Sequence, residues 1–170
     1  MTGFEVAAGA VAVVACATDL AWRRVPNVLT FPALAAGVIA HAVLPEGTGL
    51  LAAMGGAAVG LAVFFPIFAL GGLGAGDVKL MAALGAWLGV SAIVWTALYG
   101  AAAGGVLGVI VAAWQGYLWR ALKNIRLLLT TWAVQGVRPL PALTLEHGAG
   151  PRLPYAVPVL AGVAAVLWRQ

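Results

Sequence analysis

The sequence contains very little charge for its length. Of its 170 residues only 8% are charged, nine basic and five acidic, whereas 64% are hydrophobic and another 23 positions are glycine. A typical soluble domain is about a quarter charged, so this chain has too few charges to cover a globule in water. The shortage excludes a disordered chain and a conventional soluble enzyme, and it predicts a protein whose main solvent is lipid.

Cysteine and histidine are also scarce. Cys16 is the single cysteine, which excludes an internal disulfide, a CxxC redox pair and a cysteine zinc knuckle. Its apolar surroundings predict a small buried side chain. His41 and His147 have no partner at metal-ligand spacing, so we interpret both as structural and expect neither a metal nor a cofactor. The basic residues form no stripe, and a nucleic-acid partner is therefore not expected.

Apolar runs of about the length needed to cross a bilayer dominate the chain. They predict an all-α, polytopic membrane protein with about six transmembrane helices, organised as one membrane-embedded domain over residues 1–170. The fourth and fifth runs are continuous, and their boundary is predicted near Thr96. The six runs cover residues 4–22, 28–44, 50–70, 78–96, 97–119 and 153–168.

The basic residues predict the orientation of these helices. With the N-terminus outside, every basic residue except Arg169 falls in a cytoplasmic segment, as the positive-inside rule requires. We therefore predict both termini outside, in the cytoplasmic membrane. The sizeable cytoplasmic or interfacial loop, at about 120–152, begins with an amphipathic pattern. This pattern fits either a helix lying on the inner membrane surface or a cytoplasmic extension of the fifth helix.

Glycines at four-residue spacing mark the fourth and fifth runs. Small residues at this spacing let helix backbones approach closely, so we interpret them as packing positions inside the bundle. They are Gly85, Gly89, Gly100, Gly104 and Gly108.

The two aspartates are the strongest candidates for chemistry. Asp19 lies near the cytoplasmic end of the first helix, and Asp77 closes the glycine-rich segment GGLGAGDVK. The topology places both carboxyl groups at the inner face, where ionisable residues are costly and usually functional. Two structural alternatives stay open: Asp19 could pair with Arg23 one turn later, and Asp77 could cap the fourth helix. The glycines before Asp77 leave a backbone that an extended peptide could approach.

These residues carry a resemblance to a known family. Residues 74–77 read Gly-Ala-Gly-Asp, the GxGD signature of membrane aspartic proteases, and with the following Val-Lys-Leu they resemble type IV prepilin peptidases. In that family the partner aspartate ends the first helix ahead of a basic, Pro-Asn-containing turn, which Asp19, Arg23-Arg24 and Pro26-Asn27 match. The segment 154–158 resembles the start of the family's last helix.

The resemblance implies the function and the site. It identifies Asp19 and Asp77 as catalytic residues of an aspartic endopeptidase that cleaves the basic leader from prepilin-like precursors, whose leader precedes an apolar helix. The likeness is to the compact, tight-adherence (Flp-type) form, so we expect no cytoplasmic zinc or methyltransferase domain and no methyl transfer. Two alternatives remain: a preflagellin-type leader peptidase, and a non-catalytic transport or scaffold protein.

Overall fold

The computed structural model describes residues 2–138 and 154–169, and all regular structure in these residues is α-helical. Three helices, α1, α3 and α4, are long and apolar enough to cross a membrane by length and composition, and α2 and α6 are shorter apolar helices. The predicted all-α fold is confirmed, and it is compatible with a polytopic membrane protein. The helices are α1 (Gly3–Trp22), α2 (Asn27–Val43), α3 (Leu50–Ala69), α4 (Ala75–Trp114), α5 (Leu118–Gln135) and α6 (Ala156–Trp168).

Helix α4 turns back on itself at Gly89, whose backbone has φ 75° and ψ 177°. The contacts of Gly60 in α3 show this reversal. A Cβ on Gly60 would overlap the Met81 carbonyl oxygen and would lie 3.2 Å from the Ile93 side chain, so both residues are next to Gly60. In a straight helix these two residues would be about 18 Å apart. Residues 75–88 and 90–114 therefore form two antiparallel arms, which with α1, α2, α3 and α6 gives six apolar helical segments in the described part of the chain.

The position of this reversal corrects the boundary predicted near Thr96. Hydropathy is continuous through this region and cannot locate a turn, whereas a positive φ favours glycine because it has no Cβ. No atom lies within 4 Å of the position that a Cβ on Gly89 would take. Gly89 therefore reverses the chain, and it is also a packing residue, because a Cβ on Gly56 of α3 would lie only 2.9 Å from its Cα.

Gly85, Gly100 and Gly104 make the helix contacts that their spacing predicts. Gly56 of α3 and Gly85 of α4 lie so close that a Cβ on either would overlap the carbonyl oxygen of the other. Gly100 packs against Pro158 of α6, where its Cβ would lie 3.2 Å from the Pro158 carbonyl oxygen. Helix α4 consequently contacts α1, α2, α3 and α6 and forms the centre of the bundle.

Helix α5 begins after a short non-helical turn at residues 115–117. Gly116 has φ 70°, α4 ends at Trp114, and no residue of α5 is buried. The amphipathic segment is thus a separate helix rather than a continuous extension of the one before it, and its position on a membrane surface stays a prediction. The rest of the predicted loop, with His147 and Arg152, lies outside the described residues.

Replacing Gly56 by leucine tests the contact between α3 and α4. The side chain would have to displace the Gly85 backbone, and overpacking of this kind costs about 3 kcal/mol. We expect the midpoint of thermal unfolding in detergent to fall by roughly 10 °C. Gly105→Leu is the matched control, because nothing lies within 4 Å of its Cβ position. Equal midpoints for the two variants would contradict the close contact.

Candidate active site

Asp19 lies in the last turn of α1 and is buried, with 7% of its surface exposed. The helix ends just after it, where Arg23 adopts the left-handed conformation (φ 55°) and its backbone N–H donates to the Asp19 carbonyl. The Asp19 carboxyl accepts a hydrogen bond from the backbone N–H of Ala156, with 3.1 Å between nitrogen and Oδ2. Ala156 is the first residue of α6, so the carboxyl group faces the N-terminus of a helix 137 residues later in the chain.

Asp77 lies in the first turn of α4 and is buried to the same degree, with 8% exposed. Its Oδ2 accepts a hydrogen bond from the backbone N–H of Gly74, at 3.2 Å. Gly74 is the N-cap of α4, and Asp77 caps the helix from its third position, where its carboxyl group accepts the Gly74 N–H as in one half of a capping box. Capping leaves its second oxygen available, so it does not exclude chemistry.

The two carboxyl groups come together at one end of the bundle, the aspartate end. They are close enough that the charge of Asp19 acts on Asp77, although 58 positions separate them in the sequence. The charge of Asp77 also acts on the hydroxyl group of Tyr155, which directly precedes α6. Sequence reasoning noted Tyr155 only as part of a proline-aromatic segment, since nothing local indicates that it lies beside the aspartates.

The start of α4, which carries Asp77, packs against the turn that follows the Asp19-bearing helix α1. A Cβ on Gly76 would lie 3.1 Å from the carbonyl oxygen of Val25, in the turn between α1 and α2. Lys79 donates a hydrogen bond to the side-chain oxygen of Asn27 at 2.9 Å, and its ammonium lies 5.2 Å from the centre of the Phe31 ring. The start of α4 is thereby held against the start of α2, the helix that follows the Asp19-bearing helix α1.

Comparison with known proteins shows which family this chain belongs to. The model of the type IV leader peptidase family matches residues 6–109, a segment that contains both aspartates and the turns that hold them. The chain belongs to the type IV leader peptidase family. No solved structure matches the chain significantly.

Curated relatives of this leader peptidase family member come from Burkholderia pseudomallei. The proteins named prepilin leader peptidase/N-methyltransferase of strains 1026b and K96243 are each 38% identical to it over 107 residues. The match covers 59% of this chain and 34% of each relative. The chain therefore spans about a third of the length of the curated relatives that it matches, and the helix that holds Ala156 lies beyond the part matched by the family model.

A groove of about 330 Å³ lies at the start of α6, and its lining includes neither aspartate. It runs between α3, the second arm of α4 and α6, and its walls are mostly apolar. Tyr155 lines the groove, and its hydroxyl group interacts electrostatically with Asp77. The groove therefore reaches the aspartate end. Its lining includes Phe64, Ile67, Gly104, Gly105, Gly108 and Pro158.

The remaining candidate ligands have structural roles. Cys16 is buried in the hydrophobic core, as predicted. The His41 ring accepts a hydrogen bond at Nδ1 from the Thr48 backbone N–H, which leaves Nε2–H to donate to the Trp87 carbonyl. It also stacks on Phe4 with 3.9 Å between ring centres, so its structural interpretation is confirmed. No group of three potential metal ligands occurs within residues 2–138 and 154–169.

Proposed function

We propose that this protein is a membrane aspartic endopeptidase that removes the leader peptide from type IV prepilin-like precursors of the Flp type. Family membership supports the reaction class, and the burial of Asp19 beside Asp77 is the observation that carries the mechanism. The Flp-type assignment rests on the resemblance of the aspartate motifs to the compact form of the family.

In the proposed mechanism the two carboxyl groups share one proton, because two neighbouring carboxylates cannot both ionise comfortably. The ionised member takes a proton from a water molecule, and the protonated member donates its proton to the oxygen of the scissile carbonyl. Water attacks the carbonyl carbon directly, so no covalent enzyme intermediate forms. Each carboxyl group accepts a backbone N–H at a helix N-terminus, where a negative charge is stabilised.

The charged residues support a cytoplasmic position for this site. Arg23, Arg24 and Lys79 lie at the aspartate end, and α5 carries three further basic residues. The opposite end carries Arg169. Under the positive-inside rule this distribution favours an active site at the cytoplasmic face of the inner membrane. A substrate whose basic leader precedes its own apolar helix would present its cleavage site at that depth.

We assign the groove beside Tyr155 to the apolar helix of the substrate. Its walls are apolar, and it extends away from the aspartates along α4 and α6. An apolar segment that directly follows the scissile bond would therefore enter the groove when the bond lies at the dyad.

Filling the groove tests this assignment. Gly105→Leu places a side chain in the groove where nothing lies within 4 Å of the Cβ position, so the fold is retained while the space is lost. We expect KM for a full-length precursor to rise about tenfold, the equivalent of about 1.4 kcal/mol of binding, with kcat little changed. Val106→Leu is the control, since Val106 is 61% exposed and does not line the groove. A wild-type KM for Gly105→Leu would show that the substrate helix lies elsewhere.

The function itself is tested by co-expressing the protein with candidate Flp-type prepilins. Loss of the leader is measured as a shift on a gel and confirmed by sequencing the new N-terminus. Mass spectrometry of the same product shows whether it is methylated, which we do not expect. If the folded, membrane-inserted protein leaves every candidate precursor intact, the proposed activity is wrong.

A further inference from the structure

Within residues 2–138 and 154–169, Arg169 is the basic residue that lies at the end of the bundle opposite the aspartates. The guanidinium of Arg169 lies 5.1 Å from the centre of the Trp95 ring and 5.8 Å from that of Tyr99. Its Nη1 donates a hydrogen bond to the Tyr99 hydroxyl oxygen, and the two rings stack with 5.8 Å between their centres. The cation is thus held in place by two aromatic rings.

This guanidinium borders a cavity of about 380 Å³. The cavity combines polar groups, from Ser91, Tyr99 and Arg169, with apolar walls from Leu88 and Val166. None of its lining residues is acidic. A guanidinium carries five N–H donors, and the hydrogen bond to Tyr99 uses one of them, so the cavity presents a positive charge without a carboxylate in its walls.

We propose that this cavity binds the phosphate ester of an anionic glycerophospholipid. Guanidinium groups bind phosphate oxygens through charge-assisted hydrogen bonds, and Trp and Tyr rings favour the depth of the lipid headgroups. The apolar part of the wall accommodates the beginning of an acyl chain, which a free phosphate ion lacks. The ligand is therefore the lipid, although inorganic phosphate shares the anionic chemistry.

Lipid titration of the purified, delipidated protein tests the proposal. Dioleoylphosphatidylglycerol is added in detergent, and native mass spectrometry counts the bound lipids and gives the affinity of the first site. We expect Arg169→Gln to weaken this site at least about tenfold, because it removes the charge-assisted contact. Tyr99→Phe keeps the ring but loses the hydroxyl that orients the guanidinium, and should weaken it less. Arg120→Gln, an exposed change on α5, is the control and should bind as wild type does.

Three results would overturn the proposal. Equal lipid affinity of Arg169→Gln and wild type would show that the guanidinium does not contribute to lipid binding. An equal loss in Arg120→Gln would indicate general attraction of anions to a basic protein. Displacement of the lipid by millimolar inorganic phosphate would make this a site for a soluble anion. Leader cleavage is a separate readout that should be unchanged in Arg169→Gln, so failure here and failure of the proposed function are distinguishable.

Discussion

Asp19→Asn and Asp77→Asn are each expected to lower the rate of leader cleavage by at least about a thousand-fold. An amide cannot exchange the proton that a carboxyl dyad passes between water and the scissile carbonyl, and loss of such general acid–base catalysis costs up to about four orders of magnitude. Asparagine has the same shape and can still accept the backbone N–H of Ala156 or Gly74 through its side-chain oxygen. We therefore expect both variants to fold, and the rate constant for cleavage of a co-expressed or purified precursor measures the effect.

Two comparisons make this result specific. Glu46→Gln removes a carboxylate from an exposed position and should cleave as wild type does, which separates the loss of the dyad from a general loss of negative charge. Thermal unfolding in detergent should give similar midpoints for wild type and for both asparagine variants. Full cleavage by either aspartate variant would rule out the two-carboxyl mechanism, while leaving the family assignment untouched.

The sequence was sufficient to find the two aspartates, and the reason is the scarcity of other ionisable groups. With so few charges in an apolar chain, the position of each charge relative to the helices limits what it can do. The same composition hides the turn at Gly89, because alanine, valine and leucine continue on both sides of it and hydropathy reports burial in lipid rather than direction. A reversal that depends on one backbone dihedral angle leaves no mark in an apolar pattern.

The contacts that the start of α6 makes near the aspartates were also beyond prediction. The hydrogen bond between Asp19 and Ala156 joins the end of the first helix to the start of the last. It depends on how α1 and α6 pack, which no local pattern reports. The position of Tyr155 beside Asp77 has the same origin. The family model matches residues 6–109, so these α6 contacts come from the fold alone.

The glycines before Asp77 have structural explanations that the sequence could not provide. The sequence favoured a backbone left open for an approaching peptide. However, a Cβ on Gly74 would lie 3.1 Å from the Asp77 carboxyl, and one on Gly76 would lie 3.1 Å from the Val25 carbonyl. Loss of activity on substituting either glycine would follow from packing alone. A useful test must therefore separate displacement of the dyad from obstruction of the substrate.

Gly76→Val is expected to reduce kcat about a hundred-fold with little change in KM. The new side chain would push the turn at Val25 away from the start of α4 and so move Asp19 relative to Asp77, and a misplacement of about 1 Å can cost two orders of magnitude in rate. Ala75→Val, an exposed change in the same helical turn, should retain near wild-type kcat. The measurement is steady-state cleavage of a purified precursor in detergent or vesicles.

A second substitution distinguishes the two explanations for Gly76. Val25→Gly removes the Cβ that a side chain at position 76 would meet at 3.3 Å but keeps the carbonyl oxygen at 3.1 Å, so the double variant should recover only part of the lost kcat, about tenfold. Recovery would be a coupling between two residues in contact, which independent effects do not produce. If Gly76 instead left room for the substrate backbone, Gly76→Val would raise KM and Val25→Gly would restore nothing. That result would indicate that the glycine turn contacts the substrate. The spacing of the aspartates would then depend on other contacts, such as the hydrogen bond between Lys79 and Asn27.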